Sequence, residues 1–239
     1  MTTFVLVHGA WHGGWCWWKV RPILEAAGHR VFTPTLTGVG ERSHLLTRDV
    51  NLTTHIQDVI ASILFEELVE VVLVGHSYGG LVVSGAVQHI QDRLRHVVYL
   101  DAILPTHGEI QVGENSDTPL RNSAIAHGDG WMIPVPPIVD GSLMGVSDVD
   151  DLAWMAKRLT PHPLSTFQEA TQLGTPKQHP LPGTYLLCTG EGRESSGFLT
   201  HAERAKSLGW NVEELATGHD LMITEPQATA DLLMRAAQA

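Results

Sequence analysis

The sequence predicts an α/β protein: a mostly parallel sheet of about six strands, helices on both faces and an inserted cap. Three observations carry that expectation. Short, nearly all-apolar runs alternate with amphipathic stretches, as buried parallel strands joined by crossover helices require. Ten of the thirteen prolines fall between Pro105 and Pro182 and interrupt the alternation between two core strands. An apolar run also stops abruptly in "VVLVGHSYGG" (71–80), where a serine sits among glycines.

The first strand is "TFVLVHG", followed by "GWCWWKVRPILEAAG" (14–28), read as a helix closed by Gly28. "HRVFTPT" (29–35) supplies the second strand, and "TTHIQDVIASILFEEL" (53–68) a helix capped by Thr53 or Thr54. "VEVVLV" (69–74), a helix over about 80–94 and "HVVYLD" (96–101) continue the pattern. After the proline-rich break come "TYLLCT" (184–189), a helix near 199–208, "WNVEEL" (210–215) and a last helix from Pro226. The segment from about 102 to 182 is too long for an ordinary loop. It holds one clear amphipathic helix, "DVDDLAWMAKRL" (148–159), and few apolar runs, so it reads as a cap over the sheet's carboxyl edge within a single domain of residues 1–239.

Charge narrows the function classes. Fifteen basic against 26 acidic residues give a net charge of −11, which opposes association with nucleic acids or anionic membranes. No apolar segment approaches the roughly 18 residues needed to cross a bilayer, and the N-terminus lacks the charged and apolar regions of a secretory signal. Cys16 and Cys188 have no metal-binding or redox spacing and read as free thiols in a reducing compartment. The expectation is a cytoplasmic protein whose partner is a small molecule; the sequence does not set the oligomeric state and allows a homodimer.

The chemistry centres on Gly75-His76-Ser77-Tyr78-Gly79, which fits G-x-S-x-G, a strand-to-helix turn that exposes a serine hydroxyl. A serine is a poor nucleophile until a base takes its proton. Most of the fourteen histidines read as structural, His55 on a helix and His162 between prolines among them. His219 in "ATGHDLMITEP" follows the last core strand, so it shares the sheet's carboxyl edge with Ser77 and is the expected base. An oxyanion needs N–H donors: Tyr78, at a helix N-terminus, is one, and Ala10 in "HGAWHGGW" is the other. His8 and His12 share an i, i+4 spacing, but the flanking glycines argue against a rigid metal-binding face, and neither metal nor cofactor is expected.

With these residues located, the chain resembles the α/β-hydrolase fold, and in particular the plant methylesterase and hydroxynitrile lyase family with its bacterial esterase relatives. The resemblance rests on "FVLVHGAWHGGWCWW", "LEAAGHRVFTPTLTGVG", "VVLVGHSYGG", "DDLAWMAKRLTPHPLSTF" and "GHDLMITEP", in that order along nearly the whole chain. It implies Ser77 as nucleophile, His219 as base, and Ala10 and Tyr78 as oxyanion donors. For the acid, the plant pattern points to Glu191 in "CTGEGRESSGF", while the fold also allows Asp101. A short side chain on a rigid strand end holds an imidazole better than a glutamate between glycines, so Asp101 is preferred and Glu191 is the alternative. The family's lyases carry threonine where this chain has Gly9, and lysine where it has Asp220; a carboxylate would repel a departing cyanide. Trp11 is the expected substrate-binding aromatic, Trp15, Trp17 and Trp18 the expected packing residues, with Met222 and Leu143 as further pocket candidates. The resulting expectation is a cofactor-free serine carboxylesterase cleaving a small or medium ester through an acyl-enzyme.

Overall fold

The computed structural model describes residues 1–137, 144–174, 181–191 and 197–238. In chain order the elements are β1 (Thr3–Val7), α1 (Val20–Ala26), β2 (Arg30–Phe32), α2 (Leu52–Phe65), β3 (Val71–His76), α3 (Gly79–Ile90) and β4 (Leu94–Leu100). Then follow α4 (Pro119–His127), β5 (Met132–Ile133), α5 (Val149–Ala156), β6 (His162–Pro163) and α6 (Ser165–Gln168). The chain ends with β7 (Gly183–Cys188), α7 (Phe198–Ser207), β8 (Asn211–Leu215), α8 (Leu221–Thr224) and α9 (Pro226–Ala236).

Six strands form one sheet in the order β2-β1-β3-β4-β7-β8, and every neighbouring pair is parallel. The strands are apolar on both faces because both faces are covered. Val5, Val7, Leu73, Tyr99 and Leu187 point into the core that includes α2 and α3, while Phe4, Leu6, Val72, Val74 and Leu100 alternate with them into the core that includes α1 and α9. Register decides what meets at the carboxyl edge. His76 pairs with Leu100, Leu100 with Leu186, and Cys188 with Leu215, so the residues that leave β3, β4 and β8 emerge side by side. Between β4 and β7 lie α4, α5, α6 and the antiparallel β5–β6 pair, with Met132 opposite Pro163.

Two local expectations are corrected. The stretch 14–28 is not one helix but a 3-10 turn, Gly14–Trp17, followed by α1. Pro22 explains the division: in a continuous helix it would lack the N–H owed to the carbonyl four residues earlier, whereas in the first turn of α1 that N–H has no partner anyway. The cap of α2 is Asn51 rather than Thr53 or Thr54. Its Oδ1 accepts from Thr54 N–H at 2.9 Å, and Thr54 Oγ1 accepts from the Asn51 N–H at 3.3 Å, a reciprocal capping box. Asn51→Ala should therefore lower stability by about 1 kcal/mol, read as a lower denaturant midpoint at unchanged slope.

Candidate functional site

At the carboxyl end of β3 the chain turns sharply into α3, and Ser77 stands in the turn with φ of +54°, a left-handed conformation disfavoured for a side-chain-bearing residue. The turn is braced on both sides: Ser77 N–H donates to Leu100 O at 3.3 Å, and Ser77 O accepts from Ile103 N–H at 3.0 Å and Gly80 N–H at 3.1 Å. Gly79 is required by close approach, since a Cβ there would lie 2.8 Å from the carbonyl oxygens of Val7 and His8.

Asp101 follows β4, also at positive φ (+44°), and is fully buried. Its Oδ1 accepts from the Cys188 N–H at 3.1 Å, and its Oδ2 lies 2.6 Å from His219 Nδ1. Because a carboxylate only accepts, His219 Nδ1 carries the proton and Nε2 is left with its lone pair. The His219 ring is stacked on Phe198, with centroids 5.0 Å apart and planes at 24°. Glu191 is exposed on the turn after β7. Between the two acids considered, the imidazole is therefore bonded to Asp101.

Ser77 and His219 line one cavity of about 210 Å³ together with Gly9, Ala10, Trp11 and Tyr78. Ile103, Leu120, Met144, Phe167 and Phe198 make its remaining wall largely apolar. The N–H groups of Ala10 and Tyr78 donate to no group among the described residues, and both residues border the cavity. Ser77 Oγ likewise has no hydrogen-bond partner among the described residues, a common state of a site before substrate enters. Trp11 is tied to the segment between β4 and β7 through its indole N–H, which donates to Ile133 O at 3.3 Å, and through its carbonyl, which accepts from Thr160 N–H at 3.0 Å.

The other aromatic candidates separate. Trp17 is buried in the core against α1, Trp15 stacks on His12 at 5.2 Å, and Trp18 is half exposed beside Trp154. Met222 does not reach the cavity; it is buried with Leu221 and Ile223 in the core below. Leu143 lies outside the described residues.

Sequence reasoning passed over several histidines that surround this site. His8 is engaged at both nitrogens, with Gly9 O at 2.8 Å and Leu36 N–H at 3.1 Å, and burial pushes it down to about 3. His55 Nδ1 meets the Tyr78 hydroxyl at 2.8 Å and its Nε2 meets Thr37 O at 2.8 Å; burial lowers it to about 4 and raises the Tyr78 phenol. His76 donates from Nε2 to the His219 carbonyl at 3.0 Å, fixing the backbone of the imidazole loop, and burial holds it well below its usual value. His12 is bonded to Ala10 O at 2.7 Å and to Asp220 Oδ2 at 3.1 Å. The i, i+4 histidines 8 and 12 thus spend all their ring nitrogens on protein groups. Only the position of Asp220, directly after His219, hinted in the sequence at a second acid near the site.

Comparison with known proteins agrees with this architecture. Residues 4–232 match the alpha/beta hydrolase family. A carbendazim hydrolyzing esterase from Nocardioides sp. (strain SG-4G) is 37% identical over 244 residues, covering 98% of each chain. The pFDCC methylesterase MES16 of Arabidopsis thaliana is 30% identical over 199 residues, 77% of this chain and 74% of its own. Among solved structures, an extracellular alpha/beta-hydrolase from a Paenibacillus species, described as sharing structural and functional homology with tobacco salicylic acid binding protein 2, superposes over 100% of both chains with a TM-score of 0.85 at 25% identity. The match over nearly the whole length, joined to the strand-turn-helix around Ser77 and the six-stranded parallel sheet, establishes that this chain belongs to the α/β-hydrolase family.

Proposed function

We propose that the protein is a serine carboxylesterase that cleaves a small or medium carboxylic ester through an acyl-enzyme on Ser77. The observation that carries this reading is the 2.6 Å bond from His219 Nδ1 to the buried Asp101 carboxylate, in a cavity wall shared with Ser77. Ser77 Oγ attacks the ester carbonyl carbon while His219 Nε2 takes its proton, and Asp101 holds the tautomer and stabilises the imidazolium. The oxyanion accepts from the N–H groups of Ala10 and Tyr78. His219 then returns the proton to the leaving alkoxide, the alcohol departs, and a water deprotonated by the same nitrogen attacks the acyl-enzyme and frees Ser77.

Lyase chemistry is disfavoured by space as well as by charge. A Cβ at Gly9 would lie 2.9 Å from Ser77 Cβ and 3.0 Å from His76 Nδ1, so the threonine of the lyases does not fit this backbone. Asp220 occupies the place of their lysine. The cavity of about 210 Å³ lies below the roughly 300–1,000 Å³ of sites for drug-sized ligands, which favours a compact acyl group. The esterase and methylesterase relatives point to a small alcohol, with methyl first, and Trp11 and Phe167 supply apolar contact for the acid part. Two buried cysteines outside any disulfide, Cys16 and Cys188, fit a reducing cytoplasmic setting. Among the described residues no helix is long and apolar enough to cross a membrane.

Incubation with an activated phosphonate, followed by intact mass measurement, should add one adduct per chain, and none to Ser77→Ala; a folded wild type that stays unlabelled refutes the nucleophile. In ester turnover Asp101→Asn should lower kcat by roughly 10⁴-fold while Glu191→Gln leaves it essentially unchanged, and the reverse order would move the acid to Glu191. A panel of esters varied on both sides should show methyl esters of compact acids turning over faster than long-chain acyl esters.

A further inference from the structure

The ester chemistry above leaves one buried charged couple unused. His12 Nδ1 lies 2.7 Å from Ala10 O, and His12 Nε2 lies 3.1 Å from Asp220 Oδ2. A carbonyl oxygen and a carboxylate both only accept, so both ring nitrogens donate, and an imidazole that donates twice is an imidazolium. The His12 side chain is 3% exposed and that of Asp220 is 0%. The second oxygen, Asp220 Oδ1, has no hydrogen bond among the described residues and sits 3.8 Å from His76 Nε2.

The couple bridges the two loops on which catalysis would depend. On one side His12 grips the carbonyl of Ala10 and so fixes the peptide leading into Trp11, which is held at φ of +64°. On the other side Asp220 follows His219 in the chain, and its N–H is anchored to Met144 O at 2.8 Å. One Asp220 oxygen, one ring nitrogen of His219 and one of His76 lie within 4.8 Å of one another. His12, Asp220, Ala10 and His219 all border the same cavity. The positive end of the couple therefore stands at the Ala10 loop and the negative end beside His219.

We propose that His12 and Asp220 are positioning residues, an imidazolium–carboxylate couple that clamps the Ala10 loop to the His219 loop and lies parallel to the charge separation of the transition state. As the ester is attacked, negative charge gathers at the Ala10 and Tyr78 N–H groups and positive charge on His219. A fixed dipole with its positive end toward the first and its negative end toward the second stabilises both without reorganising.

The surroundings leave the dipole unscreened. Facing His12 are Trp15, His8, His76 and His162, with Cys16 within electrostatic reach of Asp220 and the exposed Glu41 beyond Gly13. Burial lowers His8, His76 and His162 and raises the Cys16 thiol, so all four are neutral near pH 7. Burial also lowers His12, but the charge and hydrogen bond of Asp220 outweigh it and the net direction is upward. For Asp220 burial raises the carboxyl, and the charge and hydrogen bond of His12 carry it downward overall. Facing His219 are Asp101 from the end of β4, His76 from β3, Asp220 from its own loop and the uncharged Phe198 from α7.

The role, though not the couple itself, rests on the esterase reading, so the test has two parts. In wild type labelled with ¹⁵N-histidine, one imidazolium with both nitrogens protonated should persist at pH 8 and vanish in Asp220→Asn. A wild-type spectrum with only neutral imidazoles at that pH overturns the couple, whether or not any ester turns over and whether or not the variant folds. In pH profiles of kcat/KM, Asp220→Asn removes the negative end beside His219 and should move the ascending limb to lower pH. His12→Gln leaves that charge uncompensated and should move it to higher pH, each variant losing on the order of 10²-fold in kcat from misplaced groups. Limbs that stay put, or move in one common direction, overturn the positioning role and leave only a structural one.

Discussion

The hydrogen bond between His219 Nδ1 and Asp101 Oδ2 is the interaction on which the rest of the site depends. Asp101 is fully buried, and a carboxylate removed from water is tolerable only where donors replace the solvent it lost. The Cys188 N–H is one such donor and the imidazole is another. Both donors come from chain segments more than 80 residues away in sequence, and parallel pairing of β4 with β7 and of β7 with β8 brings them there. Loss of the imidazole would remove a charge-assisted hydrogen bond from a buried carboxylate, worth about 1.5–3 kcal/mol. The sheet order and the chemistry are thus one constraint: the strand that delivers His219 must lie on the β7 side of β4.

This constraint explains what could be read in the sequence. The strand runs were legible because parallel strands covered on both faces carry apolar residues at every position, and Val71–Val74 needs no alternation to be recognised. Ser77 was legible because its turn leaves a local signature, glycines at 75, 79 and 80. His219 came from topology, as the histidine in the loop after the last strand. The acid required a further argument about stiffness, and the structure bonds the imidazole to the short side chain at the strand end.

What stayed hidden is set by distant partners. Asn51 and the threonines two and three positions later are all capping residue types, and asparagine outranks threonine; the reciprocal bond with Thr54 marks Asn51 as the cap. His12 and Asp220 stand 208 residues apart, and each alone reads as a loop residue. His55 and His162 likewise become part of the site's underside only when α2 and the segment between β4 and β7 are folded together against Tyr78, with ring centroids 5.7 Å and 4.6 Å away. A single sequence carries the propensity of a histidine, never the identity of the acceptors that decide its protonation.

Strain follows the same logic. Among the described residues six other than glycine adopt positive φ, and three of them, Trp11, Ser77 and Asp101, lie at the site, one on each of the loops leaving β1, β3 and β4. Such conformations cost on the order of 1–3 kcal/mol each and persist only where the surroundings over-determine them. Here the surroundings are identifiable. Ser77 is held by Leu100, Ile103 and Gly80, Asp101 by the Leu186 carbonyl at 2.7 Å, and Trp11 by His12 on one side and Thr160 on the other. Three adjacent parallel strands, each pinned by its neighbours, supply the rigidity that lets the turns beyond them stay bent, and a bent turn aims a backbone N–H or an exposed side chain away from the sheet. The buried His12–Asp220 couple fits the same set of features, because replacing a buried ion pair with well-packed apolar residues of similar volume is often neutral or stabilising. Its presence accords with the role proposed for it, in which alignment of the two loops it joins matters more than the free energy a simpler core would add.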